Sequence, residues 1–184
     1  MRIAIVGTGA TGSRGPPGRV ADAWRAAGFT VRTYDDIDQL VWEKLICNVA
    51  FSTPCALTGL SIGAVMGDPD AWSVATGCAG EAFAVARAQG VALSFDDPIA
   101  WVREFGRAIP GARPSMLLDV LAGRTCEVDV INGAIPPLAA SLGLAAPVNS
   151  TVTALVHALE AKRPKAPLPP GLPEHKHLGD AYVP

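Results

Sequence analysis

Lys44, Asn48 and Ser52 recur every fourth residue within an otherwise apolar segment. Side chains at i, i+4 and i+8 of a helix share one face, so an amine, an amide and a hydroxyl fall on a single stripe. Polar groups in register beside a hydrophobic face can form the wall of a pocket; the same spacing also describes the solvated side of an amphipathic helix. A second group, Asp119, Arg124, Glu127, Asp129 and Asn132, concentrates charge in a chain otherwise poor in it. Read alone, it describes a capped helix junction with local ion pairs. The third candidate is Gly7-x-Gly9-x-x-Gly12. Gly7 permits a tight turn, Gly9 lets the backbone approach a pyrophosphate, and Gly12 allows a following helix to pack closely with its N–H groups toward the phosphates. The alternative is a glycine-rich turn with no ligand.

The glycine loop follows a run of apolar residues, Ile3 to Val6, that reads as a buried strand, the expected place for a dinucleotide fingerprint. The helix due at Gly12 meets Arg14-Gly15-Pro16-Pro17-Gly18, a sequence that ends helices. Helix is expected to resume at Arg19 and stop at Gly28, and a strand over Phe29 to Tyr34 leads to Asp35 and Asp36. Asp35 stands 23 residues beyond Gly12, near the spacing of about 20 at which an acid reaches a ribose. Residues 1–36 therefore read as a truncated βαβ unit.

From Ile37 onward the pattern is helical. Apolar residues at 37, 40, 41, 45 and 49 define a helix with a stop at Pro54. Asp68-Pro69 and Asp97-Pro98 pair an N-cap with a first-turn proline, opening helices that run to Gly90 and through Ile99 to Phe105. Pro114 opens another, ending near Gly123; a helix over Val128 to Ile135, one begun by Pro136-Pro137, and one capped by Asn149 and reaching Lys162 complete a bundle of six to eight. Its core should take Leu40, Val41, Leu45, Val49, Phe83, Val85, Leu117, Ile131 and Leu155. The division is thus 1–36, a helical domain over 37–163, and a proline-rich tail over 164–184 expected to be polyproline or disordered.

The 184 residues are 49% hydrophobic and 17% charged, against about 25% charged in an average soluble domain. Disorder throughout is excluded, and two full domains do not fit. Fifteen Lys+Arg against seventeen Asp+Glu, with no basic run, argue against nucleic acid and anionic membrane surfaces as partners. Cys47, Cys55, Cys78 and Cys126 form no C-x-x-C pair and lack histidines at ligand spacing, so neither metal site nor disulfide framework is indicated and a reducing, cytoplasmic location fits. The uncharged stretch from Val130 to Val156 is long enough to span a bilayer but carries Asn132, Gly133, Pro136, Pro137, Gly143 and Pro147, which make it helix-loop-helix. No targeting segment is visible.

The glycine loop GTGATGS, then DDIDQLVWEKLICNVAFSTPCALTG, PSMLLDVLAGRTCEVDVINGAI and APVNSTVTALVHALE, in that order, resemble the ketopantoate reductases, also called 2-dehydropantoate 2-reductases. The resemblance covers roughly residues 20 to 160 and rests on W-x-K-L-x-x-N, S-M-x-x-D-x-x-x-G-R-x-x-E-x-D and I-N-G in series. It implies a mainly α fold, a helical bundle of the 6-phosphogluconate-dehydrogenase-like type behind a short Rossmann remnant. It implies an NADPH-dependent oxidoreductase that reduces ketopantoate to pantoate in pantothenate biosynthesis, with a small 2-oxo acid as substrate and a homodimer as a possible state. In that resemblance Lys44 matches the catalytic lysine, a general acid toward the ketone. Glu127 matches the glutamate that holds the substrate hydroxyl and orients the lysine. Asn48 matches a substrate-binding asparagine, Ser115 a serine on the substrate carboxylate, and Gly7, Gly9 and Gly12 the cofactor loop.

Two departures bear on the pocket: Ser52 stands where the family commonly has a second asparagine, and Ala112 where another is usual. Residues 19–36 resemble the segment just before the family's catalytic helix, so the fingerprint joins the helical domain directly. An intact nucleotide domain needs on the order of 150 residues; weak NADPH binding, and little or no activity for this chain alone, are the expectation. Two other readings remain open: a non-catalytic helical dimerisation module, and a reductase of another small 2-oxo acid.

Overall fold

A computed structural model of the protein describes residues 2–6, 16–34 and 37–162. Strands β1 (Arg2–Val6) and β2 (Thr30–Tyr34) pair in parallel, Arg2 opposite Thr30 and Val6 opposite Tyr34. Parallel neighbours need a crossover, and α1 (Pro16–Ala26) supplies it. The helix begins at Pro16, three residues before the expected Arg19. Proline fits a first helical turn, where its missing N–H would have no intrahelical partner anyway, so Pro16-Pro17 starts this helix instead of blocking it. Trp24 meets Phe29 edge-on at 4.9 Å and closes the turn into β2. Gly7, Gly9 and Gly12, the Asp35-Asp36 pair and the tail from residue 163 lie outside the described residues.

Seven α-helices follow, and residues 37–162 contain no strand. Helix α2 (Ile37–Thr58) is central and runs through Pro54, where a stop was expected. Proline there removes one backbone bond, a penalty of about 3 kcal/mol in an isolated helix. Phe51, Thr53, Cys55 and Ala56 on either side of it are all buried, so packing carries the helix across the gap. Thr58 Oγ1 then donates to the Pro54 carbonyl at 2.7 Å and finishes the last turn. A short helix the periodicity did not reveal, α3 (Ile62–Gly67), starts at Ser61, whose Oγ accepts from Ala64 N–H at 3.4 Å.

The two Asp-Pro signals act as read. Asp68 accepts from Ala71 N–H at 2.8 Å to open α4 (Pro69–Ala88), and Asp97 accepts from Ile99 and Ala100 N–H at 2.8 and 3.0 Å to open α5 (Pro98–Ala108). Gly90 and Gly123 follow α4 and α6 (Ser115–Leu121) at φ of +77° and +70°, the left-handed region in which glycine ends helices. The helix expected over Val128 to Ile135 is replaced by two 3-10 turns, Val128–Val130 and Asn132–Ala134, broken at Ile131 with φ −107° and ψ −95°. Helix α7 (Ile135–Ser141) starts at the expected prolines, and α8 (Pro147–Ala161) ends the described chain.

Small residues on α4, among them Ala75, Cys78, Ala79 and Ala82, are fully buried and let α4 lie close to α2. Phe51, Ile46, Val49, Val85, Val102, Leu117 and Ile135 fill the space around that pair. Of the expected core, Val49, Val85 and Leu117 are buried; Leu45, Phe83 and Ile131 pack against it from its edge, and Leu40 is half-buried. Val41 and Leu155 are both 51% exposed, a correction with separate causes: Val41 shares the outward stripe of Lys44, and Leu155 borders an open groove described below. No helix among the described residues is long and apolar enough to cross a membrane, and no group of metal-ligating side chains gathers there.

All four cysteines are free and buried. Desolvation is the main cause that pushes the thiols of Cys47, Cys55 and Cys78 up to about 12 and that of Cys126 up to about 11, from 9.0. The folded protein therefore keeps these protons at pH values where the unfolded chain loses them, so stability falls as pH rises above about 9. A thiol-specific chromogenic reagent at pH 8 should find no fast-reacting cysteine in the native protein and four after denaturation, and urea midpoints should drop between pH 9 and 11. A fast-reacting native thiol contradicts this burial.

Candidate functional site

The orientation of α2 is set from its inner side. Trp42 is buried, and the neighbouring Glu43 carboxylate, only 8% exposed, accepts from Gln39 Nε2 and from Ser94 N–H, each at 2.9 Å. With those side chains turned inward, the stripe of Lys44, Asn48 and Ser52 is aimed elsewhere. Lys44 is exposed, Asn48 half-buried and Ser52 buried, so the stripe passes from solvent into the bundle over a rise of about 12 Å. Lys44 and Asn48 make no side-chain hydrogen bond or ion pair among the described residues. Their polar atoms are free for a ligand.

Helix α6 lies against the deeper end of that stripe. Thr53 Oγ1, one residue past Ser52, contacts Met116 Sδ at 3.5 Å, one residue past Ser115. Ser115 is the first residue of α6 and is exposed. Beyond Gly123 the chain folds back: Arg124 donates to Asp119 Oδ1 from Nε at 2.9 Å and from its terminal nitrogen at 2.6 Å. Val128 is then buried with Ala56, Met116, Cys126 and Val156. Glu127, between the buried Cys126 and Val128, is exposed. Met116, next to Ser115, and Cys126 and Val128, on either side of Glu127, thus share one apolar cluster with Ala56 of α2. Lys44 stands further along α2, and no ion pair joins it to Glu127 among the described residues.

The charged group around Glu127 resolves into the expected local pairs, Arg124 with Asp119 and His157 Nε2 with Asp129 Oδ1 at 2.9 Å. Asn132 does not belong with them. It is fully buried, its Oδ1 accepts from Thr53 Oγ1, and its Nδ2 donates to the Val49 carbonyl at 3.0 Å and to Asn149 Oδ1 at 2.9 Å. Asn149 in turn donates to the Cys78 carbonyl at 3.1 Å and to Glu81 Oε2 at 2.7 Å. Asn149 was expected as a helix cap; instead α8 starts at Pro147, and Glu81 of α4 accepts from the N–H groups of Val148 and Asn149 at 2.7 and 2.9 Å. A carboxylate from another helix has taken the cap's task, which frees the amide for the interior. Gly133 sits in a tight place here, since a Cβ would stand 3.2 Å from the Val128 carbonyl and 3.3 Å from Thr153 Cγ2. Reasoning from local spacing missed Thr53, Glu81 and Glu160. The available signal was that Asn132, Asn149 and Thr153 are polar residues within the uncharged, mostly apolar stretch.

A groove of about 350 Å³ opens between α2, α4 and α8, lined by Pro54, Leu57, Val74, Val148, Leu155 and their neighbours. It is almost wholly apolar and contains none of the candidate polar residues.

Residues 36–160 match the family model described as the C-terminal domain of ketopantoate reductase PanE/ApbA. The chain belongs to this family. Individual ketopantoate reductases match as well. A 2-dehydropantoate 2-reductase of Archaeoglobus fulgidus is 32% identical over 142 residues, 77% of this chain and 47% of that protein. A PanE/ApbA family ketopantoate reductase from Ralstonia eutropha superposes with a TM-score of 0.73 at 32% identity, over 88% of this chain and 52% of the other. A 2-dehydropantoate 2-reductase from Geobacter metallireducens gives 0.71 at 29%, over 85% and 52%. The chain spans about half the length of the curated relatives it matches. The family match establishes the helical C-terminal fold and takes in Lys44, Asn48, Ser52, Ser115 and Glu127, while the glycine loop lies before it.

Asn132→Ala removes three bonds of this ketopantoate reductase domain's central network, those to Thr53, Val49 and Asn149, and keeps the bonds of Asn149 to Cys78 and Glu81. It leaves Asn149 Oδ1 unpaired in the interior and the Thr53 hydroxyl with only the weak Met116 sulfur acceptor, at about 1–3 kcal/mol each. A loss of about 3 kcal/mol or more is expected in urea denaturation at neutral pH; a loss below about 1 kcal/mol would show that the network is dispensable.

Proposed function

We propose that this chain supplies the substrate-binding and proton-donating half of a ketopantoate reductase active site, in which ketopantoate is reduced to pantoate with NADPH. The observation that carries this is the Lys44–Asn48–Ser52 stripe, free of internal partners among the described residues at its outer end and met at its inner end by α6, in a chain of this family. The Lys44 ammonium donates a proton at the ketone oxygen, where negative charge gathers in the transition state. Asn48, half-buried and one turn deeper, holds the substrate by an amide hydrogen bond. Ser115, at the exposed start of α6, takes the carboxylate, and Glu127 the hydroxyl. Ser52 is short where an amide would reach further, so one substrate hydrogen bond is lost and another small 2-oxo acid is the second substrate reading.

A reduced nicotinamide is the source of hydride in this chemistry. A dinucleotide is held across two βαβαβ halves; the described residues provide one two-stranded βαβ unit. Its helix does start shortly after the glycine loop, in keeping with Gly7, Gly9 and Gly12 as phosphate contacts, yet one unit does not complete a cleft. The proposed domain limits, 1–36 for this remnant and 37–163 for the substrate domain, follow from that difference.

Calorimetric titration with ketopantoate and fluorescence titration with NADPH test the reading directly. Ketopantoate should bind saturably, and Asn48→Ala should weaken it by about tenfold. NADPH should bind at micromolar concentrations or weaker; a nanomolar dissociation constant would mean the nucleotide site is complete. Where turnover is measurable, Lys44→Ala should lower kcat by about 100-fold or more at saturating ketopantoate, while Asn48→Ala should act mainly on KM. Near-normal turnover of Lys44→Ala would make the lysine a solvated-face residue and end this mechanism.

A further inference from the structure

The Glu127 side chain makes no hydrogen bond or ion pair among the described residues, yet the backbone on both sides of it is held by one helix. Glu160 Oε1 of α8 accepts from Cys126 N–H at 2.8 Å. Val156, one turn earlier, is fully buried against Val128, and His157 binds Asp129 at 2.9 Å. Residues 126, 128 and 129 are thereby fixed by 160, 156 and 157. The only side chain of this run left without a partner among the described residues is that of Glu127.

We propose that Glu160 is a positioning residue for Glu127, holding the backbone one residue ahead of it so that its carboxylate meets the substrate already oriented. This rests on the reading of Glu127 as a substrate ligand. Two observations separate the role from simple bracing. The apolar contact of Val128 with Val156 already anchors the segment, so the Glu160 bond adds orientation more than attachment. The bond is also made by an acceptor oxygen, not by charge alone, since its partner is a backbone amide. A carboxamide at position 160 retains such an oxygen.

The test compares ketopantoate affinity, by calorimetry on the full chain, for the wild type, Glu127→Ala, Glu160→Ala, Glu160→Gln and the double variant Glu127→Ala/Glu160→Ala. Glu160→Ala should weaken binding by about tenfold, the equivalent of one hydrogen bond to a charged group. Glu160→Gln should stay within about threefold of wild type, and the double variant should be no weaker than Glu127→Ala. Hydrogen exchange should show the Cys126 amide losing protection in Glu160→Ala while α2 and α4 keep theirs. Unchanged affinity in Glu160→Ala beside a clear loss in Glu127→Ala overturns the proposal alone, as do additive losses in the double variant. Wild-type affinity in Glu127→Ala overturns the ligand role of Glu127, and the positioning role falls with it.

Discussion

The hydrogen bond between Asn132 and Asn149 sits where four parts of the chain meet, and their mutual placement depends on it. Each amide is used in full: the donors and acceptor of Asn132 reach α2 and α8, and those of Asn149 reach α4 and the 3-10 turn. In the low dielectric of an interior, such a network is favourable when saturated and costly when any member lacks its partner. No buried side-chain nitrogen or oxygen among the described residues is left without one. Apolar packing tolerates small slides between helices, whereas this set of bonds admits one register. The two segments that bear the candidate residues, 44–52 and 115–127, inherit their relation from it.

A gradient of burial along α2 follows from the same geometry. Its inner face is committed to Trp42, Ile46, Val49 and the Glu43 carboxylate, and its far end is clasped by α6 and α8. The stripe between therefore starts wet at Lys44 and finishes dry at Ser52. Such an arrangement suits a small polar molecule: the charged group stays hydrated until a ligand displaces its water, and the neutral hydrogen-bonding groups lie where water is already scarce.

Signals that act within one turn were legible in the sequence. Asp68-Pro69, Asp97-Pro98, Gly90 and Gly123 mark their boundaries because a cap needs only its own neighbours. Pro54 and Asn149 misled for the opposite reason. Proline ends a helix only when nothing outside it compensates, and Phe51 and Cys55 compensate here; an asparagine at a helix start caps it only when no better acceptor is at hand, and Glu81 is one. Pro16 opens a helix and does not break one, because a proline in the first turn has no intrahelical bond to lose. The candidate site residues were legible as a spacing and as a family resemblance. The partners that orient them, Thr53, Glu43 and Glu160, were not, since each acts across more than thirty residues of chain.

The same central amide also governs how the protein ages. Asn132 precedes Gly133, a pair in which the glycine backbone nitrogen, unhindered by a side chain, readily attacks the asparagine side-chain carbonyl and expels ammonia, and water then opens the cyclic imide to leave a carboxylate in place of the amide. In the folded state that attack is blocked, because the side chain is tied down on both ends and cannot swing toward its own backbone. Once the chain opens, the protection vanishes. A carboxylate there has no N–H to give the Val49 carbonyl or Asn149, so a damaged molecule cannot rebuild the junction. Each excursion to the unfolded state thus carries a chemical risk, and the lifetime of the domain is set by how seldom it unfolds as much as by how deep its free-energy minimum is.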